Sequence, residues 1–93
     1  MIGRASEKVP NGKLVKVQVE YDSAIRKVQI TGDFFIHPED SIREIEMSMI
    51  GAPSSEDEAE LAARVQRAAE NANAVLLGLD AYAIARVVKG AMK

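Results

Sequence analysis

The side chains that could do chemistry are few in kind. Carboxylates come in pairs and runs: Glu39 with Asp40, Glu44 with Glu46, and Glu56-Asp57-Glu58. General acid–base catalysis needs at least one carboxyl in a desolvated pocket that displaces its pKa. All of these stand at the starts or on the solvent faces of segments with helical periodicity, where capping and the helix dipole already account for them. The single histidine, His37, precedes Pro38 at a strand-to-helix corner. A base there would need a nucleophile and an orienting acid, and only Ser41 and Asp33 are near in sequence. Ser41 is better used with Glu44 as a capping box. His37 is therefore expected to cap the helix or meet a partner rather than to act as a base.

Other chemistries are excluded by absences. The chain has no cysteine, which removes disulfides, thiolate nucleophiles, Fe–S clusters and cysteine zinc sites. One histidine cannot build an all-histidine metal site within one chain. The six glycines, at positions 3, 12, 32, 51, 78 and 90, are nowhere closer than nine residues apart. That spacing excludes GxGxxG, the KH loop GxxG and a Walker phosphate loop, all of which need glycines close together. Gly12-Lys13 is followed by Leu14, where a phosphate loop needs Ser or Thr for magnesium. No catalytic, cofactor-binding or metal-ligating residue emerges.

The elements that must carry any function belong to one small domain of 93 residues, with strands over about 4–36 and helices over about 38–93. Hydrophobic residues are 47% and charged residues 28%, too apolar for disorder. No apolar run approaches the ~18 residues of a membrane span, and the start, Met1-Ile2-Gly3-Arg4-Ala5-Ser6, lacks a secretory h-region. A cytoplasmic protein with no membrane contact is expected. The net charge of −2 is unevenly spread. Residues 1–31 carry six basic and three acidic side chains, residues 32–60 one and nine, residues 61–93 five and two. The acidic middle fits helix starts, or else a patch that steers a basic partner. With only four aromatic residues, the basic ends do not suggest nucleic-acid binding.

Hydropathy periodicity gives an α+β fold: a small antiparallel sheet of two or three strands, followed by about three helices packed on it. Pro10-Asn11-Gly12 is a hairpin signal between a strand over about 4–9 and a longer one from Lys13 to Tyr21. In the latter, Val15, Val17, Val19 and Tyr21 alternate with Lys16, Gln18 and Glu20, the pattern of a strand wet on one face. Asp22-Ser23 breaks it, and residues 25–35 read as the return strand with Val28, Ile30 and Phe34 on one face. Ile42, Ile45, Met49 and Ile50 form a helical stripe ended by Gly51 and Pro53. Ser54-Ser55 and the acids after them open a second helix, with Leu61, Val65, Ala68 or Ala69, and Ala72 facing inward. Asn71 and Asn73 weaken its continuation, and Val75-Leu76-Leu77 is a helix end or a buried connector. Asp80 caps a last helix with Ile84, Val87, Val88, Ala91 and Met92 on one face.

Phe34-Phe35 is the one aromatic pair. Neighbours in a strand point to opposite faces. Either the strand ends there and both rings tuck under the first helix, or one ring lies in an exposed apolar patch that a partner covers.

Thr31-Gly32-Asp33-Phe34-Phe35, then Pro38-Glu39, then a helix with Ile45-Glu46 and a closing Ile50-Gly51, resembles the accessory domain of lipoate–protein ligases. Lys8-Val9-Pro10-Asn11-Gly12-Lys13-Leu14-Val15 is similar to the Lys-Val-Pro-x-Gly-Lys-Leu opening of that domain's first long strand. The matches cover residues 4–51, about half the chain; the alanine-rich remainder fits only in length and helical character. In that family a large catalytic domain activates lipoate with ATP to lipoyl-AMP and transfers the lipoyl group to a lysine of a lipoyl domain. The accessory domain is fused to it, or in some archaea is a separate chain. The resemblance implies a non-catalytic accessory subunit of a two-chain ligase, paired as a heterodimer with a catalytic subunit and needed for adenylation. Lipoyl-domain proteins would be substrates of the complex. ATP, Mg and lipoate are expected on the partner, and none is expected on this chain. Phe34, Phe35, His37 and Pro38 are the candidate partner contacts. A protein-interaction adaptor unrelated to lipoylation is the competing class.

Overall fold

The computed structural model of the chain describes residues 1–9 and 13–92; the hairpin turn expected at Pro10-Asn11-Gly12 lies outside the described residues. Eight elements follow in order: β1 (Ile2–Lys8), β2 (Leu14–Tyr21), β3 (Ile25–Gly32), β4 (Phe35–His37), α1 (Ser41–Ser48), α2 (Glu58–Asn71), β5 (Val75–Leu77) and α3 (Ala81–Ala91). β1, β2 and β3 form an antiparallel meander in that order, and β4 pairs with β5 as a separate two-stranded ribbon. The architecture is the α+β class that the periodicity implies.

The alternation in β2 sets the layer order. Val15, Val17 and Val19 turn to one face with Val28 and Ile30 of β3, and all five are buried. Lys16, Gln18 and Glu20 lie opposite Thr31, Gln29 and Lys27 on the other face, away from the core. Burying a Val or Ile side chain is worth ~1.5–3 kcal/mol, so a one-residue slip of register would expose the whole set. The three helices cover the apolar face with Ile45, Met49, Leu61, Val65, Ile84 and Val88, none of them accessible to solvent. α3 comes close to β1 because Gly3 and Ala5 face it: a Cβ on Gly3 would stand 1.6 Å from the Ala91 carbonyl oxygen. A bidentate pair ties the same two elements, with Arg86 Nε donating to Glu7 Oε1 at 2.9 Å and Arg86 Nη2 also donating to Glu7.

Helix starts follow short-range chemistry, with two corrections. Asp80 accepts from the Ala83 N–H at 2.8 Å, the cap expected for α3. Asp57 caps α2 by accepting from the Glu60 N–H at 2.8 Å, so the acidic run supplies the cap and Ser54-Ser55 precede it. In α1 the N-cap is Asp40, with no side-chain bond, and Ser41 is the first helical residue and buried. The Ser41–Glu44 capping box therefore does not form. α2 ends at Asn71, and Asn73 takes φ 52°, which an asparagine tolerates better than most residues.

Two strand expectations also change. The return strand stops at Gly32, and residues 35–37 leave the meander. Val75-Leu76-Leu77 is neither a helix end nor a buried connector; it is β5, paired with β4 in the register Phe35↔Leu77, Ile36↔Leu76, His37↔Val75. The physical reason is long-range. A three-residue strand is stable only with a partner, and its partner lies 40 residues away in sequence.

Candidate functional site

The β4–β5 ribbon has an apolar side on each face. Side chains alternate along a strand, and paired residues share a face. Ile36 and Leu76 therefore point together into the core, where Ile36 is buried and Leu76 is packed against the core cluster. Phe35, Leu77, Val75 and His37 share the opposite, outward face. There Phe35 is 62% exposed, Val75 54% and Leu77 52%. Three large apolar side chains contiguous on one exposed face form a patch of the kind at which proteins meet other molecules.

The two phenylalanines separate at the start of β4, which Phe34 precedes and Phe35 opens. Phe34 packs against the core cluster, its ring 3.2 Å from the place a Cβ on Gly32 would occupy, and Phe35 faces out. Both rings thus do not tuck under α1. Phe34, Phe35, His37 and Glu39 line an open groove of about 420 Å³ beside Ile42 of α1. Pro38 follows at the exposed corner, joined to His37 by a cis peptide bond. His37 is exposed in β4 and leaves the start of α1 to Asp40, so it does not cap the helix. Three of the sequence-predicted contacts, Phe35, His37 and Pro38, are brought together at the surface, whereas Phe34 stands behind them. Sequence reasoning missed Val75 and Leu77. Their alternation with Leu76 spans three residues, too short a signal to distinguish a strand from a helix end.

Electrostatics adds no reactive group to this face. The carboxylates whose pKa is displaced, Glu7, Asp22 and Glu56, are all held below their ordinary values. A hydrogen bond from Arg86 lowers Glu7, the Ala24 N–H and then Arg26 lower Asp22, and a hydrogen bond from Arg64 lowers Glu56. That is the direction of ion pairing, opposite to the raised pKa of a buried proton donor. Among the described residues, no group of three or more His, Asp or Glu stands where it could hold a metal ion. No described helix is long and apolar enough to cross a membrane.

Comparison with known proteins gives one informative result. No family model and no curated protein matches the sequence. Among solved structures, the chain is similar to one from the structural analysis of an archaeal lipoylation system, a bi-partite lipoate protein ligase and its E2 lipoyl domain from Thermoplasma acidophilum. The TM-score is 0.77 at 22% identity, over 95% of this chain and 94% of that chain. The two share a fold from end to end.

Proposed function

We propose that this chain is the accessory subunit of a two-chain lipoate–protein ligase, required by a catalytic subunit for ATP-dependent activation of lipoate to lipoyl-AMP. The observation that carries this reading is the end-to-end likeness to a chain of the archaeal lipoylation system. The sequence motifs at residues 8–15 and 31–51 point to the same family independently. The exposed Phe35, Val75 and Leu77 supply a docking surface for the partner.

A chain without a reactive centre acts through shape. A catalytic subunit that rarely populates its adenylation-competent state gains activity from a partner that binds this state preferentially. Moving such an equilibrium from 1:99 to even takes ~2.7 kcal/mol of differential affinity. Covering one large exposed ring supplies energy of that order. ATP, magnesium and lipoate then reside on the partner, and His37 and Pro38 stand at the edge of the contact.

The second reading is that this chain is itself the lipoyl acceptor, since an E2 lipoyl domain belongs to the same archaeal system. One set of assays separates the readings. Lipoate-dependent ATP–pyrophosphate exchange by the catalytic subunit is measured with and without this chain, and the chain's mass is determined afterwards. The accessory role predicts exchange only with the chain present, and an unchanged mass. A lipoyl adduct on one of its lysines assigns it as acceptor. Exchange that proceeds equally well without the chain, with no adduct, removes both readings and leaves an adaptor unrelated to lipoylation.

A further inference from the structure

The two edges of the three-stranded sheet are treated differently. The terminal ammonium of Met1 donates to the Tyr21 carbonyl at 2.9 Å, and the Tyr21 N–H donates to the Met1 carbonyl at 2.9 Å. Pairs that exchange both bonds alternate along an antiparallel ladder. Gly3↔Val19, Ala5↔Val17 and Glu7↔Val15 therefore carry the remaining bonds of β1 to β2. The Val9 N–H, donating to the Lys13 carbonyl at 2.8 Å, keeps the same parity. Ile2, Arg4, Ser6 and Lys8 consequently turn their N–H and C=O groups away from β2. No described residue forms a hydrogen bond with any of these eight groups.

The outer edge of β3 is covered in part. Ile25 donates to the Ala52 carbonyl and accepts from the Gly51 N–H, both at 2.8 Å. The outward N–H of Ile30 donates to the Glu46 carboxylate at 2.7 Å. β1 is also long for an edge strand, seven residues in unbroken register without a bulge or proline. Edges of this kind template pairing with another chain.

Charge selects the occupant. Arg4 and Lys8 flank Ser6 on the outer face of β1, and Lys16 and Lys27 extend the positive surface across the sheet, with Glu20 the one acid among them. A second copy pairing antiparallel edge to edge would bring two equally cationic faces side by side, with Arg4 opposite Lys8 when the pair is centred on Ser6, which is unfavourable. A strand carrying carboxylates at alternate positions meets the same cations favourably. Val9, next to Lys8, shares a groove of about 340 Å³ with Gly78, the residue after Leu77.

We propose that the β1 edge receives an extended, acidic segment of the catalytic subunit as a fourth strand. This rests on the accessory-subunit reading above and names the second part of its interface. Main-chain bonds to Ile2, Arg4, Ser6 and Lys8 supply the affinity, and Arg4 and Lys8 choose a segment with Asp or Glu at every second residue.

Amide hydrogen exchange, read residue by residue by NMR on the full chain alone and saturated with the catalytic subunit, tests this directly. The Arg4, Ser6 and Lys8 amides are expected to slow by at least ~10-fold in the complex, because an N–H must lose its new bond before it exchanges. The Gly3, Ala5 and Glu7 amides, already bonded to β2, change little. Ser6→Pro deletes one outward donor and leaves the β2 ladder its partners. It should weaken the complex at least ~10-fold where Ser6→Ala does not. Arg4→Glu combined with Lys8→Glu should weaken it as well. A complex that forms while the Arg4, Ser6 and Lys8 amides exchange as in the free chain overturns the strand addition and leaves the accessory role standing. Failure to form any complex overturns both. Protection of these amides that rises with the concentration of this chain alone assigns the edge to self-association and also overturns the proposal.

Discussion

Replacing Phe35 by alanine removes a ring that is 62% exposed, so its effect should fall on association more than on folding. A phenylalanine buries about 200 Å² when fully covered, which leaves roughly 120 Å² of this one for a partner to cover. At ~25 cal/mol per Å² that area is worth ~3 kcal/mol, or ~150-fold in Kd. The covered remainder, roughly 75 Å², sets an upper limit of ~2 kcal/mol on lost stability, and compaction of the unfolded chain brings it nearer ~1. Phe34→Ala is the internal control, because that ring packs against the core. It should cost ~2–3 kcal/mol, somewhat less than a fully buried phenylalanine. In a domain of this size each kcal/mol lowers Tm by ~4–8 °C. Calorimetric titration against the catalytic subunit, paired with thermal unfolding of each variant, reads both quantities. The reasoning fails if Phe35→Ala binds like the unsubstituted chain. It fails equally if the two variants lose the same stability, which would mean that both rings belong to the core.

Two further substitutions test the forces that hold the site in place. Glu46→Ala strands the buried Ile30 N–H that its carboxylate satisfies at 2.7 Å. The expected loss is ~1–3 kcal/mol in urea unfolding, and Glu46→Gln, which keeps an acceptor oxygen, should cost less. Glu56 accepts from Arg64 Nε at 2.6 Å and Nη2 at 2.9 Å, and its side chain is only 6% exposed. The hydrogen bond from Arg64 holds its pKa below the ordinary 4.5. Because the unfolded chain then binds this proton more readily, the pair's contribution is complete above that value and is lost below it, as pH falls through the lowered value of the folded chain. Stability measured from neutral pH down to acid should decline less steeply for Glu56→Gln, which lacks this titration, and should be lower at neutral pH. An unchanged acid limb would mean that the pair does not govern it.

The sequence carried most of the fold where the signal was periodic and local. Period-two alternation over Val15, Val17 and Val19 defined β2 and its inward face, and spaced apolar residues defined the inner faces of α2 and α3; in the first helix Ile45 and Met49 turn inward as expected, but Ile50 lies past its end and is exposed. Asp80 was readable as a cap because an aspartate just ahead of an apolar stripe needs only its own helix to satisfy it. Capping failed at Ser41 because that residue is drawn into the first turn and buried, so packing outweighed the local bond. At α2 several adjacent residues could cap, and only the helix's final start chose Asp57.

The outward ribbon was half legible. For Phe34-Phe35 the sequence left two placements open, both rings under the first helix or one ring in an exposed patch, and the resemblance singled out that corner together with His37 and Pro38. Nothing local told which ring faces out, or that Val75 and Leu77 would join it. Residues 1–31 likewise yielded strands and charges, but not that Glu46 would reach the outer edge of β3 while the β1 edge has no described partner. What the chain determined by itself is the inward face of its longer elements: which side chains of β2, β3, α2 and α3 avoid water. Tertiary structure alone decided which faces meet. Pairing β4 with β5 or Glu46 with β3 joins residues far apart in sequence, and the free energy of such contacts exists only once the whole core has formed.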